Sequence, residues 1–251
     1  MVLVNPNTSA ATTRMMTALA RRALTGTGLR VRGVTAADGP PMLTDPHALD
    51  AAVPFVVAAA HAALASGDCA ALIVAAFGDP GVPELRGRGL GRTTGDTTAY
   101  DAGAGPGPLG PRAATTPVPV PVPVPVVGIG EAALAEAAAD GRRFGIATTT
   151  PRLAGSIAAH VERLGLASSY TGARFTAGAP ERLAARPESL LAALEAAVRA
   201  CVVRDGAEAV VIGGGPLGEA AEVLRSRLAV PVVAPVPAAC RRIARMLAAP
   251  S

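Results

Sequence analysis

Three short apolar segments recur in the same order in the two halves of this chain, and that recurrence restricts the fold more than any other feature. Ala71-Leu72-Ile73-Val74-Ala75-Ala76 resembles Ala209-Val210-Val211-Ile212-Gly213-Gly214, and a Gly/Pro turn follows each. Val124-Pro125-Val126-Val127, ahead of Glu131-Ala132-Ala133, resembles Val230-Pro231-Val232-Val233, ahead of Ala238-Ala239. Leu3-Val4-Asn5-Pro6-Asn7 has its counterpart in Ile146-Ala147-Thr148-Thr149-Thr150. Chance similarity among Val-rich strands yields single matches. Ordered recurrence of three points to duplication of one supersecondary unit.

Between these runs lie Ala-rich stretches of helical pattern. Strands are expected at Met1–Val4, Leu29–Thr35, Ala70–Ala76, Val126–Ile129, Phe144–Thr148, Tyr170–Phe175, Ala209–Ile212 and Val230–Ala234. Helices are expected at Ala10–Leu24, Ala48–Ser66, Glu131–Asp140, Arg152–Leu164, Pro187–Arg204 and Ala238–Leu247. Strands alternating with helices imply parallel sheets with right-handed crossovers. The pattern breaks from about Arg86 to Pro125, which is Gly-, Thr- and Pro-rich and ends in a Pro-Val alternation from Pro117 to Val126. Proline at every second position is incompatible with a central strand. A disordered excursion with a polyproline II tail is expected there. The domains then read as residues 1–85 plus 215–251 for a first α/β half, 86–124 for the insert and 125–214 for a second half.

Composition narrows the chemistry. Half of the residues are apolar but only 2% are aromatic, which suits closely packed α/β layers of small side chains. The chain contains no lysine, so neither a pyridoxal phosphate Schiff base nor a lysine-bearing phosphate loop is available. Cys69, Cys201 and Cys240 form no CxxC pair and read as buried free thiols. His47, His61 and His160 are scattered, so no metal site is expected. A net charge of +4, carried by arginines without interleaved aromatics, argues against a nucleic-acid partner. No apolar run reads as long enough to span a bilayer, and Met1-Val2-Leu3-Val4-Asn5 opens without a basic stretch or cleavage signature. A cytoplasmic protein is the expectation, and self-association stays open.

Ligands of parallel α/β sheets sit beyond the carboxyl ends of the strands. Two facing halves would place four turns around one cleft: Asn5–Ser9, Ala76–Gly81, Thr148–Thr150 and Gly213–Gly218. Each turn opens a helix, where unpaired N–H groups and the helix dipole favour an anion. A carboxylate, imide or ureide ligand follows from that geometry. The candidate binding residues are Asn5, Asn7, Thr8, Ser9, Phe77, Gly78, Thr148, Thr149, Thr150, Gly213, Gly215 and Pro216.

The turns also carry a resemblance. Asn5-Pro6-Asn7-Thr8-Ser9, Phe77-Gly78-Asp79-Pro80-Gly81 and Val126-Val127-Gly128-Ile129-Gly130-Glu131-Ala132-Ala133 resemble the hydantoin and allantoin racemase branch of the aspartate/glutamate racemase superfamily. The resemblance implies two flavodoxin-like halves with the active site between them. It implies cofactor-independent 1,1-proton transfer, in which one cysteine thiolate removes the α-proton and a second thiol returns one to the opposite face. The first family cysteine falls at Ala76 and the second at Gly214. Neither residue carries a titratable proton. Two readings therefore stand. One is an isomerase of this kind acting on a small carboxylate, amino-acid derivative or hydantoin/ureide, with Asp79 as the candidate acid–base group. The other is a non-catalytic protein that keeps the fold and the anion cleft.

Overall fold

Side chains alternate across a β-strand, so a strand buried on both faces must be apolar throughout. The short Val/Ile/Leu runs meet that condition. The computed structural model describes residues 1–87, 91–92 and 122–248. The first part of the chain forms β1 (Val2–Asn5), α1 (Ala10–Ala23), β2 (Arg32–Thr35), α2 (Pro46–Ala65), β3 (Leu72–Val74), α3 (Val82–Gly87), β4 (Gly91–Arg92), β5 (Val122–Pro123), β6 (Val126–Gly128) and α4 (Ile129–Ala137). The second part forms β7 (Phe144–Thr148), α5 (Ala154–Arg163), β8 (Tyr170–Phe175), α6 (Pro180–Ala184), α7 (Pro187–Val203), β9 (Ala209–Ile212), α8 (Gly218–Arg227), β10 (Val232–Val233) and α9 (Pro235–Ala248).

Two four-stranded sheets result, ordered β2-β1-β3-β6 and β10-β9-β7-β8. Every pairing within them is parallel. In each sheet the first strand in sequence is flanked by the second and third, and the fourth pairs with the third. The repeated segments occupy equivalent places: β1 with β7, β3 with β9, β6 with β10. The chain is thus an α/β protein of two repeat-related halves.

Leu3, Ile73 and Val127 from one sheet and Ile146, Val211 and Val233 from the other face a shared central core. Their neighbours Val2, Val4, Leu72 and Val74 face outward beneath α2. Val210, Ile212 and Val232 do the same on the other sheet, with Leu194, Val198 and Leu224 from α7 and α8. The helices that follow the fourth strands interlock the halves. α4 packs on α9 and against β9 and β10, while α9 packs on α1 and β6. The sequence-based boundaries at 125 and 215 are therefore corrected. β6 belongs to the first sheet and β10 to the second; only α9 returns to the first half. The regular apolar pattern resumes in the sequence at β6 after the Pro-rich stretch, so β6 reads as the start of a new unit.

Two further expectations change. α3 covers Arg86 and Gly87, and β4 and β5 pair as an antiparallel ribbon, Gly91 opposite Pro123 and Arg92 opposite Val122. The ends of the proposed insert are therefore regular, and its remainder lies outside the described residues. α2 is long and apolar enough to cross a membrane by length and composition, contrary to the sequence expectation.

One contact ties the turn after β3 to both halves. Asp79, in the left-handed region at φ +55°, projects its carboxylate onto the start of α4. Its oxygens accept from the Gly130 N–H at 2.8 Å and the Glu131 N–H at 2.6 Å, two donors that the first helical turn leaves without partners. His160 of α5 lies 3.0 Å from the same carboxylate through Nε2. Arg163 can only donate to His160 Nδ1, 3.1 Å away, which leaves Nε2 to donate to Asp79. Gly128 is required here, because a Cβ would fall 2.1 Å from the Asp79 carboxyl carbon. Glu131 in turn pairs with Arg86 of α3.

Replacing Asp79 by Ala leaves two α4 amides and His160 without their acceptor inside the protein. The expected loss is about 3 kcal/mol of unfolding free energy, with a smaller loss for Asp79→Asn. Urea denaturation followed by circular dichroism measures both, and an Asp79→Ala variant as stable as the parent removes this role.

Candidate ligand-binding site between the two sheets

The four turns at the carboxyl ends of β1, β3, β7 and β9 converge on one cavity of about 310 Å³. Each is shaped by local chemistry. Asn5 is fully buried, and its Nδ2 donates to Asn7 Oδ1, the Ser9 carbonyl and Thr13 Oγ1. That network folds the chain back so that Ser9 caps α1, its Oγ accepting from the Thr12 N–H at 3.2 Å. Across the cavity, Thr148 Oγ1 donates to the Gly213 carbonyl at 2.6 Å and so joins the turns after β7 and β9. Gly215 then lies against the first half. A Cβ there would meet Met16 Sδ at 2.5 Å and the Ala75 carbonyl at 3.2 Å.

Asn7, Ser9, Phe77, Thr149, Thr150, Gly213, Gly215 and Pro216 line the cavity, as do Ala76 and Gly214. Four other residues expected at the site do not line it. Asn5 and Thr148 lie beneath the surface as the hydrogen-bonded supports just described. Thr8 is exposed to solvent, and Gly78 faces the Leu49 side chain. Asp79 is likewise displaced: it is buried against α4 and His160, so the acid–base role expected of it gives way to helix capping. The turn chemistry that places Phe77 at the cavity points the next side chains away from it.

Several lining residues escaped the sequence reading. Thr12 and Met15 follow Ser9 at helical spacing along α1, a signal that could have been read. Met42, Leu43, Leu153, Ala184 and Leu190 reach the cavity from separate loops and from α6 and α7, which only the tertiary fold brings together. The lining combines the apolar side chains of Met15, Met42, Leu43, Phe77, Leu153 and Leu190 with the polar ones of Asn7, Ser9, Thr12, Thr149 and Thr150. Among the described residues, no carboxylate, imidazole, thiol, phenol or guanidinium lines it. The backbone N–H groups of Phe77, Thr149, Thr150 and Gly215 donate to no acceptor among the described residues, and remain open as anion or carbonyl donors.

The cysteines are buried and free, as the sequence suggested. None lines the cavity. Burial pushes the Cys240 thiol up to about 12. Burial, reinforced by the Asp205 charge, pushes Cys201 up to about 11. Burial also raises Cys69. A thiol held this high is almost wholly protonated at neutral pH, and the thiolate is the reactive form.

The Asp/Glu/hydantoin racemase family model matches residues 1–89 and 118–243. Among solved structures, an allantoin racemase from Klebsiella pneumoniae is similar at 24% identity and a TM-score of 0.79, covering 98% of this chain and 86% of that one. An allantoin racemase from Pseudomonas fluorescens is similar at 25% identity and a TM-score of 0.77, covering 98% and 89%. A glutamate racemase from Francisella tularensis shares the fold at 10% identity and a TM-score of 0.61, covering 98% and 80%. No curated protein sequence matches the chain.

The native protein is expected to leave all three thiols unmodified by Ellman's reagent at pH 8, and to release them together in denaturant. Stoichiometric labelling of the folded chain is the opposite outcome, and places a thiol within solvent reach.

Proposed function

The chain belongs to the Asp/Glu/hydantoin racemase family, and from that premise we propose that it binds a small carboxylate, hydantoin or ureide between its sheets without the thiol-based proton transfer of such racemases. The observation that carries this reading is the lining of the cavity, in which the described residues include no acid or base. Inverting a stereocentre needs a proton acceptor on one face of the carbon and a donor on the other. By the family resemblance those groups fall at Ala76 and Gly214, which line the cavity and have nothing to titrate. Ser9, Thr12, Thr149 and Thr150 hydroxyls hydrogen-bond well but ionise far above neutral pH without an adjacent base.

Binding has better support than turnover. The open amides of Phe77, Thr149, Thr150 and Gly215 suit one carbonyl or carboxylate group. The apolar lining residues suit an uncharged substituent on the same ligand. With no cationic side chain among the described lining residues, a second carboxylate would be desolvated without a counter-charge. The ligand class is therefore a monocarboxylate, an amino-acid derivative or a neutral imide or ureide with an apolar group. Racemase-type turnover is the second reading, favoured by the family match over both halves.

Ala76 already carries a Cβ. One added at Gly214 would meet only the Leu217 side chain, at 3.3 Å, but the φ of +158° there is a conformation that side chains rarely adopt, so a cysteine at 214 costs backbone strain.

Three measurements separate the readings. A thermal-shift screen of substituted hydantoins, ureides and monocarboxylates is expected to raise Tm by about 5–10 °C for a ligand at a hundred times its Kd. Incubation of that ligand in D2O is expected to show no α-proton exchange by NMR. The Ala76→Cys/Gly214→Cys variant is expected to introduce exchange. Exchange by the unaltered chain establishes turnover, and the absence of any ligand-induced shift removes the binding role.

A further inference from the structure

We infer that Asp45, through its ion pair with Arg152, is the specificity-determining residue that keeps a second negative charge out of the cavity between the sheets. The inference rests on the reading that this cavity takes a ligand. Met42 lines the cavity and is 41% exposed, so it marks where the cavity opens to solvent. Asp45 follows Met42 and Leu43 in the same loop of the first half. Arg152 stands between Thr150 and Leu153 in the second half, and both of those line the cavity. The Arg152 guanidinium lies 3.0 Å from Asp45 Oδ2. The pair therefore joins the two halves beside the opening, although neither member lines the cavity itself.

The two partners are held very differently. Asp45 is the N-cap of α2: its Oδ1 accepts from the Ala48 N–H at 2.9 Å, and its side chain is 20% exposed. Arg152 is 74% exposed on a long, flexible stem. An exposed ion pair of this kind contributes little to stability and opens readily. When it opens, the cap holds Asp45 in place and the guanidinium is the group that moves. Among the described residues Arg152 has no second ion-pair partner. A carboxylate projecting from a ligand through the opening competes with Asp45 for that guanidinium, whose planar fork matches a carboxylate. Asp45 opposes it twice, by occupying Arg152 and by repelling the incoming charge. Discrimination of this sort comes from a repulsive element as much as from an attractive one. With Asp45 neutral, Arg152 becomes a free cation next to Thr150, and the opening attracts anions instead.

Thiol labelling of the full chain tests this without a known ligand. Ala76→Cys places a thiol in the lining. Its rates of modification by neutral methyl methanethiosulfonate and by the negatively charged sulfonatoethyl reagent are each divided by the rate with free mercaptoethanol. Peptide mass spectrometry reads residue 76 apart from the buried Cys69, Cys201 and Cys240. Asn caps a helix as well as Asp does, so Asp45→Asn removes the charge and keeps α2. At low ionic strength Asp45→Asn is expected to raise the anionic-to-neutral ratio about threefold, and Arg152→Gln to lower it by a similar factor. The double variant is expected to return to the parent ratio, and high salt to compress all the differences. A ratio indifferent to Asp45→Asn overturns the inference. So does a double variant that keeps the shift of either single one, or a thiol at residue 76 that no variant leaves open to either reagent. Should labelling behave as expected while no hydantoin, ureide or monocarboxylate shifts Tm, the charge selection stands and the proposed ligand class is what fails.

Discussion

The Asp79 carboxylate binds three parts of the molecule that would otherwise be free to shift. It sits on the turn after β3, caps the first amides of α4 and accepts from His160 of α5 in the other half. A left-handed aspartate costs about 1 kcal/mol of backbone strain, which two short charge-assisted bonds to buried amides more than offset. α4 is the helix that spans both sheets, touching β6 on one side and β9 and β10 on the other. Fixing its start therefore fixes how the sheets face each other. The ion pairs of Glu131 with Arg86 and of Glu136 with Arg241 extend the same attachment to α3 and α9.

This geometry gives a physical meaning to two motifs that look unrelated in the chain. Phe77–Gly81 and Gly128–Glu131 lie far apart in sequence, yet the carboxylate of the first rests on the backbone of the second, at a spot only glycine leaves open. In this chain the two motifs together lock one half against the other. The lock also sets Ala76 and Phe77 at the rim of the cavity while drawing Asp79 away from it.

Among the described residues, the cavity lining offers amides and hydroxyls rather than charged side chains. Dipoles of this kind hold a single carbonyl or carboxylate and do not need a titrating partner. The thiols that the chain does possess are placed where burial keeps them protonated. Cys201 lies close to Gly145 in the outer layer of the second sheet, and Cys240 lies in the central core. They pack as small apolar groups.

Local chemistry in the chain was enough to settle the element types, the parallel sheets and the duplication. The strands β7, β8 and β9 fall at the bounds expected from the sequence, and Ser9 announces the start of α1. The four turns were legible as well, because strand ends, caps and glycines act over a few residues. Three matters depended on distant parts of the chain meeting. A helix was expected to open at Gly213–Gly218 but its length was not, because α8 is held by packing against α7 and β10. The exchange of β6 and β10 between sheets was hidden because both are short strands whose partners are chosen by pairing, not by their own residues. The direction of Asp79 was decided by the amides of α4 and by His160, contacts that no window of sequence around Asp79 contains. Short-range steric and capping preferences survive in a linear reading, whereas the competition for a buried carboxylate is resolved only when the chain has closed around it.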